Sequence, residues 1–244
     1  MTAAAALSVR GISKRFRGLA AVDNVSFDVA PGSIQALIGP NGAGKTTIFN
    51  LIAGVFPTDT GDVLLDGQSL LGKRPDQICR AGVGRTFQIV RPFNDLTVEE
   101  NVAIGALLWT SDIAEARDYA VGVLKLLGLD EKRHARPSGI TLPDRKCLEV
   151  ARALATKPRL LLLDEVMAGL RPTETDRMVS VFRKLNEETG ITILLIEHVM
   201  RAVMALSQHI VVVNYGKVIA EGDPASVTQN KDVLACYLGA EAVH

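Results

Sequence analysis

The sequence has few cysteines, few aromatic residues and no net charge. Its 244 residues include 3 cysteines and 5% aromatic residues, and 27 basic side chains balance 27 acidic ones. The cysteines lie far apart and form no Cys-x-x-Cys pair, so neither a zinc site nor a disulfide framework is expected, which fits a reducing cytosol. A net charge of zero also gives no strong electrostatic footprint of nucleic-acid binding. We therefore expect no nucleic-acid partner.

Long hydrophobic runs are missing as well. The most apolar stretches, residues 160–163, 191–196 and 210–213, are as short as β-strands, whereas a membrane-spanning helix needs about 20 apolar residues. The alanines near the N-terminus follow no basic segment, which argues against a signal peptide. The sequence predicts a soluble chain whose membrane role, if it has one, comes through a partner.

The clearest motif in the sequence is Gly39-Pro40-Asn41-Gly42-Ala43-Gly44-Lys45-Thr46-Thr47, which matches the phosphate-binding pattern Gly-x-x-x-x-Gly-Lys-[Ser/Thr]. Its glycines let the backbone turn N–H groups toward phosphates. Lys45 would reach the outer phosphates, and Thr46 would offer a hydroxyl to Mg²⁺. An apolar strand precedes the loop, and a helix starting at Lys45 would turn its positive end to the anion. The motif predicts a nucleoside triphosphate site; the alternative is a glycine-rich turn.

A second signal is the pair Asp164-Glu165, which directly follows the four leucines of residues 160–163. At the carboxyl end of a buried parallel strand, Asp164 would face the phosphate loop and hold Mg²⁺, directly or through water. Glu165 would orient and deprotonate a water that attacks the γ-phosphate. The alternative is an acidic cap on a helix that follows a core strand.

Short strand-like segments with period-two patterning dominate up to about residue 70 and predict an antiparallel β layer. Thr97 and Glu100 have the spacing of a capping box, so a helix should begin there, and a later helix is predicted over residues 144–156. Strands and helices then alternate, which implies a largely parallel sheet.

The predicted fold class is α/β, with one nucleotide-binding domain spanning residues 1–244. We place the core and the antiparallel β subdomain in residues 1–90 and 158–244. We place an inserted α-helical subdomain in residues 91–157.

Together with Gln88 and His198, these motifs have the order and spacing of an ABC transporter ATPase subunit. The chain most resembles the ATP-binding subunits of branched-chain amino acid uptake systems. The resemblance covers nearly the whole chain and also rests on Arg85-Thr86-Phe87-Gln88, on residues 168–174 and on Tyr237-Leu238-Gly239. It implies a P-loop NTPase fold with a RecA-like core, ATP and Mg²⁺ as cofactors, and ATP hydrolysis coupled to transport.

The resemblance also implies roles for single residues. Gln88 matches the glutamine that senses Mg²⁺ and the attacking water, and His198 matches the switch histidine that contacts the γ-phosphate. Phe16 matches the aromatic residue that stacks on adenine, and residues 168–172 match a loop that communicates between paired subunits. The alternatives are an ordinary polar loop residue, a structural histidine, a loop-anchoring phenylalanine and a plain turn before a helix.

The sequence departs from the family at the signature motif, Leu-Ser-Gly-Gly-Gln, which each subunit lends to its partner's nucleotide. The expected place holds Thr141, Leu142 and Pro143, and proline offers neither a hydroxyl nor an N–H donor. Relative to the family pattern, two residues are missing before Asp144, whose charge would lie close to the docking phosphate. An alternative alignment uses Ser138-Gly139, with the intervening residues looped out.

The weak signature leads us to expect an asymmetric pair with a second ABC ATPase subunit that is a different chain. The other implied partners are transmembrane permease subunits and, indirectly, a substrate-binding protein, which would place the chain on the cytoplasmic face of the membrane as a peripheral subunit. The apolar residues Ile89, Val90, Pro92 and Phe93 fit either a partner groove or the core.

Two other functions are compatible with parts of the sequence. One is an ATP-binding, hydrolysis-impaired member of an asymmetric pair. The other is a soluble ABC ATPase that acts on ribosomes or DNA, which the single phosphate loop and the neutral charge disfavour. The cargo is implied by resemblance alone, and urea, an amide or an aromatic acid would leave this chain looking the same.

Overall fold

The computed structural model describes residues 5–88 and 91–241. In chain order the strands are β1 (Leu7–Phe16), β2 (Leu19–Val29), β3 (Ile34–Ile38), β4 (Thr60–Leu65), β5 (Gln68–Ser69), β6 (Val83–Arg85), β7 (Leu160–Asp164), β8 (Thr192–Ile196), β9 (His209–Asn214) and β10 (Lys217–Gly222). The helices are α1 (Lys45–Ile52), α2 (Pro75–Arg80), α3 (Val98–Ala106), α4 (Ile113–Leu126), α5 (Leu142–Leu154), α6 (Pro172–Thr189), α7 (Met200–Leu206), α8 (Pro224–Gln229) and α9 (Lys231–Glu241).

The central sheet has the strand order β10-β9-β3-β8-β7-β6. Its neighbours are parallel except at the edge, where β10 pairs antiparallel with β9. Because the three central strands β3, β8 and β7 are parallel, their carboxyl ends meet at one edge of the sheet. The largely parallel sheet predicted from the sequence is confirmed.

The central strands are buried on both faces, and alternate residues serve two separate cores. Leu161 and Leu163 of β7 point into a core with the helices α3 to α6. Leu160 and Leu162 point the other way, into a core with α1 and the antiparallel layer. Burial on both faces explains why these strands are continuous apolar runs and not alternating ones.

The antiparallel layer predicted for the first part of the chain is confirmed. It has the strand order β2-β1-β4-β5, and every pairing in it is antiparallel. The strands β1 and β2 are 10 and 11 residues long, and register shifts interrupt the pairing between them. The turn between β1 and β2 brings the start of β2 close to the phosphate loop.

The helices α3, α4 and α5 lie between β6 and β7 in the chain. Thr97 caps α3 in a capping box with Glu100, as the sequence predicted. The predicted start of α5 at residue 144 is wrong, because Thr141 is the N-cap and Pro143 lies inside the first turn. Proline is compatible with that position, since the first backbone N–H groups of a helix have no partner within the helix.

Several short elements escaped the sequence analysis, among them α2, α7, α8 and α9. For the first three the reason is their length, since α2 and α8 have 6 residues and α7 has 7, which is too few for a helical period to stand out. In the described ranges no helix is both long and apolar enough to cross a bilayer.

Candidate active site

The phosphate loop connects β3 to α1 and requires glycine at defined positions. Gly39 has φ 152° and Gly44 has φ 104°. A Cβ atom on Gly39 would lie 2.0 Å from the carbonyl oxygen of Val213, and one on Gly44 would lie 2.4 Å from that of Ala21. The loop is therefore pressed against β9 and β2 so closely that its path depends on the missing side chains.

Lys45 is the first residue of α1 and is almost completely buried. Its Nζ donates hydrogen bonds to the carbonyl oxygens of Gly39 and Pro40, at 2.7 and 2.9 Å. Burial lowers the pKa of Lys45, and the nearby carboxylates of Glu165 and Asp164 oppose this effect. The ammonium group thus lies inside the curve of the loop, at the place predicted for phosphate contact.

A cleft of about 540 Å³ opens beside the loop. Its lining combines most of the predicted loop residues with the start of β2, two polar site residues and an exposed tyrosine: Leu19, Ala20, Ala21, Asn41, Gly42, Ala43, Gly44, Lys45, Thr46, Thr47, Gln88, Glu165 and Tyr215. Tyr215, which no sequence motif indicated as a site residue, is 85% exposed in the turn between β9 and β10. That turn is fixed by a hydrogen bond from the N–H of Gly216 to the carbonyl oxygen of Ala43.

Asp164 ends β7 and is buried next to the phosphate loop. Its Oδ2 accepts a hydrogen bond from Arg85 Nη2 at 3.2 Å, and the other terminal nitrogen of Arg85 donates to Asn50 in α1. Burial raises the pKa of Asp164, although Arg85 works against the shift. Among the described atoms, Asp164 Oδ1 is buried and has no hydrogen-bond partner. No pattern in the sequence indicated that Arg85 is the partner of this carboxylate.

Glu165 and Gln88 lie far apart in the chain but meet in the structure. Gln88 Nε2 donates a hydrogen bond to Glu165 Oε2 at 2.7 Å, and both residues line the cleft. Glu165 has φ 49°, which is uncommon for a residue with a side chain. Its backbone N–H donates to the carbonyl oxygen of Ile196 in β8. The two predicted residues thus lie side by side at the mouth of the cleft.

His198 and Phe16 are less closely tied to this group. His198 follows β8 and is exposed, at the same edge of the sheet, but no described hydrogen bond joins its side chain to the other site residues. Phe16 ends β1 and is 39% exposed. Its ring packs edge-on against Phe56, with a centroid separation of 5.3 Å. The cleft is lined by Leu19 from the same turn, and not by Phe16.

Glu197, the neighbour of His198, is a buried acid to which the sequence analysis assigned no role. Its side chain is 1% exposed, and its Oε1 accepts a hydrogen bond from the backbone N–H of Met167 at 2.8 Å. Burial raises the pKa of Glu197 from 4.5 to about 7. The only signal in the sequence was an acidic residue after a fully apolar strand.

At the start of α5, where the signature motif was expected, the side chain of Asp144 forms part of the helix cap. Asp144 is buried and turned into the helix cap, where its Oδ2 accepts hydrogen bonds from the hydroxyl of Thr141 at 2.6 Å and from Lys132 at 2.5 Å. Burial opposes ionisation, but these two contacts hold the pKa of Asp144 below its ordinary value. The charge that the sequence places near the docking phosphate is therefore partly neutralised by Lys132.

Comparison with known proteins decides the family. The profile of the family described as "ABC transporter" matches residues 22–168, and that of "Branched-chain amino acid ATP-binding cassette transporter" matches residues 217–243. The chain belongs to the ABC transporter family. It is an ATP-binding subunit of that family, whose members are ATPases coupled to transport.

Relatives of this ABC subunit match it over nearly their full length. It is 42% identical to the high-affinity branched-chain amino acid transport ATP-binding protein LivG of Escherichia coli, over 96% of the chain and 97% of the relative. It is 40% identical to BraF of Pseudomonas aeruginosa, a protein with the same description, over the same shares.

A solved structure extends the similarity to the fold. The ADP conformation of MJ1267, an ATP-binding cassette of an ABC transporter, superposes with a TM-score of 0.87 at 29% identity, covering 96% of this chain and 99% of that one. The predicted P-loop NTPase fold is thereby confirmed.

Proposed function

We propose that this ABC subunit binds ATP with Mg²⁺ and hydrolyses it to power the uptake of branched-chain or related amino acids. The observation that carries the hydrolytic role is the hydrogen bond between Gln88 and Glu165 at the mouth of the cleft, 2.7 Å long. It brings a candidate base and a polar sensor together beside the phosphate loop. The cargo follows from the descriptions of LivG and BraF.

In this proposal the phosphate loop binds the triphosphate through its backbone N–H groups and the positive end of α1. Lys45 exchanges its contacts with the carbonyl oxygens of Gly39 and Pro40 for contacts with phosphate oxygens. The exchange is favourable because an ammonium–phosphate hydrogen bond joins two charged groups. Burial of Lys45 strengthens this attraction, since water screens it less.

The residues present suit Mg²⁺, which neutralises phosphate charge when it is bound. Magnesium is usually held by one or two protein oxygens together with the phosphates and water. Thr46 offers a hydroxyl, Asp164 offers the buried Oδ1 that has no described partner, and Gln88 offers an amide oxygen. In the described part of the chain no three His, Cys, Asp or Glu residues cluster as a metal site of their own.

Glu165 acts as the base that orients and deprotonates the attacking water, and His198 contacts the γ-phosphate. Glu165 lies at the carboxyl end of β7 beside the phosphate loop, and its carboxylate is held by an uncharged amide, which leaves it able to accept a proton. Removing a general base costs on the order of 10²–10⁴-fold in turnover. The exposed position of His198 leaves its imidazole free to approach a bound nucleotide.

We further propose that the subunit works on the cytoplasmic face of the membrane, paired with a second, different ABC ATPase and docked on permease subunits. A groove of about 630 Å³ extends from the nucleotide site toward α5 and includes Phe87 and Arg152. Phe87 and Phe93 are 58% and 46% exposed, which is uncommon for aromatic residues and suits a docking surface. Ile89 and Val90 lie outside the described residues.

Two features of the α5 cap support a signature that still functions. Thr141 supplies a hydroxyl at the start of the helix, and the charge of Asp144 is paired with Lys132. The hydrolysis-impaired alternative rests on the same cap, because the hydroxyl of Thr141 is already bonded to Asp144 and would have to turn to reach a partner's phosphate.

The test is ATP turnover by the purified subunit alone, with a second ABC ATPase, and in the assembled transporter. Each sample is measured for the wild type, Glu165→Gln and the control Glu187→Gln, which changes an exposed glutamate on α6. We expect turnover in the assembled complex that falls at least about 100-fold in Glu165→Gln and is unchanged in the control. Wild-type turnover in Glu165→Gln would refute the role of Glu165, and a linear dependence of activity on the concentration of the subunit alone would refute the need for pairing.

A further inference from the structure

Glu197 lies at the centre of the catalytic edge of the sheet without reaching the cleft. It follows β8, and β8 lies between the phosphate-loop strand β3 and the Asp164 strand β7. Its side chain is buried, and its one described hydrogen bond to a neighbouring segment goes to the backbone N–H of Met167. A buried carboxyl group is expensive to desolvate, so a purely apolar residue would serve packing better at this position.

The segment that Glu197 contacts is the tight turn that follows Glu165. The carbonyl oxygen of Glu165 accepts hydrogen bonds from the N–H of Ala168 at 3.2 Å and from Lys146 Nζ at 3.4 Å. Together with φ 49° at Glu165, these contacts describe a backbone held in a sparsely populated conformation. Such conformations persist only where the surroundings fix them.

The hydrogen bond from the N–H of Met167 to Glu197 connects the later part of this turn to the residue that follows β8. Glu165 is tied to the same strand through its own N–H and the carbonyl oxygen of Ile196. Two hydrogen bonds, from the N–H groups of Glu165 and Met167, thus hold the backbone on both sides of Val166. They restrict rotation of the backbone in this turn, and that backbone sets the direction of the Glu165 side chain.

We propose that Glu197 is a positioning residue for ATP hydrolysis, which holds the turn at residues 165–168 through the N–H of Met167 and thereby aims the carboxylate of Glu165 at the cleft. Glu197 touches neither the cleft nor a reacting atom, so its effect is indirect. The inference rests on the proposed role of Glu165 and adds to it the residue that orients the base. It further implies that the loop after Glu165 and the segment bearing His198 move as one unit.

Two variants of Glu197 test the effect of its hydrogen bond separately from the effects of its charge and of its side-chain volume. Glu197→Gln keeps an oxygen that can accept the N–H of Met167, whereas Glu197→Met keeps the side-chain length but offers no acceptor. The matched control is Gln208→Met, which removes a side-chain acceptor of a single backbone N–H, that of Ile34 at 2.6 Å, at the opposite end of the same sheet. All are measured in the assembled transporter beside Glu165→Gln, with thermal melting to confirm folding.

We expect Glu197→Met to lower kcat by at least about 10-fold, because a small misplacement of a reacting group slows the reaction strongly. We expect its KM for ATP to stay within about 3-fold of the wild type, because the phosphate loop is unchanged. We expect Glu197→Gln to stay within about 3-fold of the wild type and the control within about 2-fold. A merely structural role would lower the melting temperature without this split between kcat and KM.

Three outcomes would overturn the inference. The first is a wild-type kcat in Glu197→Met. The second is an equal loss of kcat in both Glu197 variants, which would point to the charge and not to the hydrogen bond. The third is a loss of kcat in Gln208→Met as large as that in Glu197→Met. The Glu165→Gln arm keeps the two proposals apart. Full turnover in that variant would refute the role of Glu165 itself, whatever the Glu197 variants do.

Discussion

Replacing Glu197 with glutamine removes one titrating group from the buried edge of the sheet while keeping an acceptor for the N–H of Met167. The fold raises the pKa of Glu197 from 4.5 to about 7, chiefly by burial and further by the nearby charge of Glu165. Because one pKa unit corresponds to about 1.4 kcal/mol, this difference is worth roughly 3 kcal/mol between the two protonation states.

The sign follows from the direction of the shift. Below pH 4.5 the folded and the unfolded chain both carry the proton on Glu197. As the pH rises from 4.5 to about 7, the unfolded chain releases the proton while the folded chain keeps it, so the free energy of unfolding decreases. Above pH 7 the folded chain releases it too, and the loss is complete. Between pH 5 and pH 8 the wild type should lose about 2–3 kcal/mol of stability relative to Glu197→Gln.

The assay is urea unfolding of both proteins at pH 5, 6, 7 and 8, followed by circular dichroism. Other titrating groups are common to both proteins and cancel in the difference between their free energies of unfolding. We expect this difference to move steadily in favour of Glu197→Gln as the pH rises. Parallel stability curves for the two proteins would refute the reasoning, because they would mean that Glu197 titrates alike in the folded and unfolded chains.

Three further predictions concern the loop, the α5 cap and the core. Gly39→Ala should abolish ATP binding in a fluorescent-nucleotide titration, because the new Cβ atom would lie 2.0 Å from the carbonyl oxygen of Val213. The control Gly67→Ala should bind ATP normally, because Gly67 also has positive φ but open space around it. Equal affinities of the two variants would contradict this prediction. Asp144→Ala should lower the free energy of unfolding by about 2 kcal/mol, because the buried cap loses its acceptor, and an unchanged urea midpoint would argue against the cap. Phe182→Ala should lower it by about 4 kcal/mol, since this ring is almost completely buried; a loss below about 1 kcal/mol would mean that the core refills the space.

The motifs for phosphate binding were predictable because they are local. A loop that wraps a phosphate needs glycines and a lysine within nine consecutive residues, and the strand before it and the helix after it complete the pattern. The same holds for Asp164 and Glu165, whose placement follows from one buried strand. The capping box at Thr97 and Glu100 was equally local, and the structure confirms it.

The start of α5 was predicted less well, because a short pattern allowed two interpretations. The predicted helix began at residue 144, whereas α5 begins at Leu142, since proline is accepted in the first turn of a helix. The charge of Asp144 was noted without its partners, and the structure shows that its carboxylate closes the capping box and pairs with Lys132. The sequence shows which groups are present at a helix start, and it does not show in which direction they turn.

By itself, the sequence determined that the chain has a phosphate loop, an acidic pair after a buried strand, and an α/β architecture. The tertiary structure alone decided that Gln88 meets Glu165, that Arg85 pairs with Asp164, and that Glu197 is buried against Met167. The physical reason is the strand order β3-β8-β7-β6, which brings Gln88 to Glu165 across 77 positions of the chain and Arg85 to Asp164 across 79. Burial and hydrogen-bond partners belong to that arrangement, and so do the pKa values that they set.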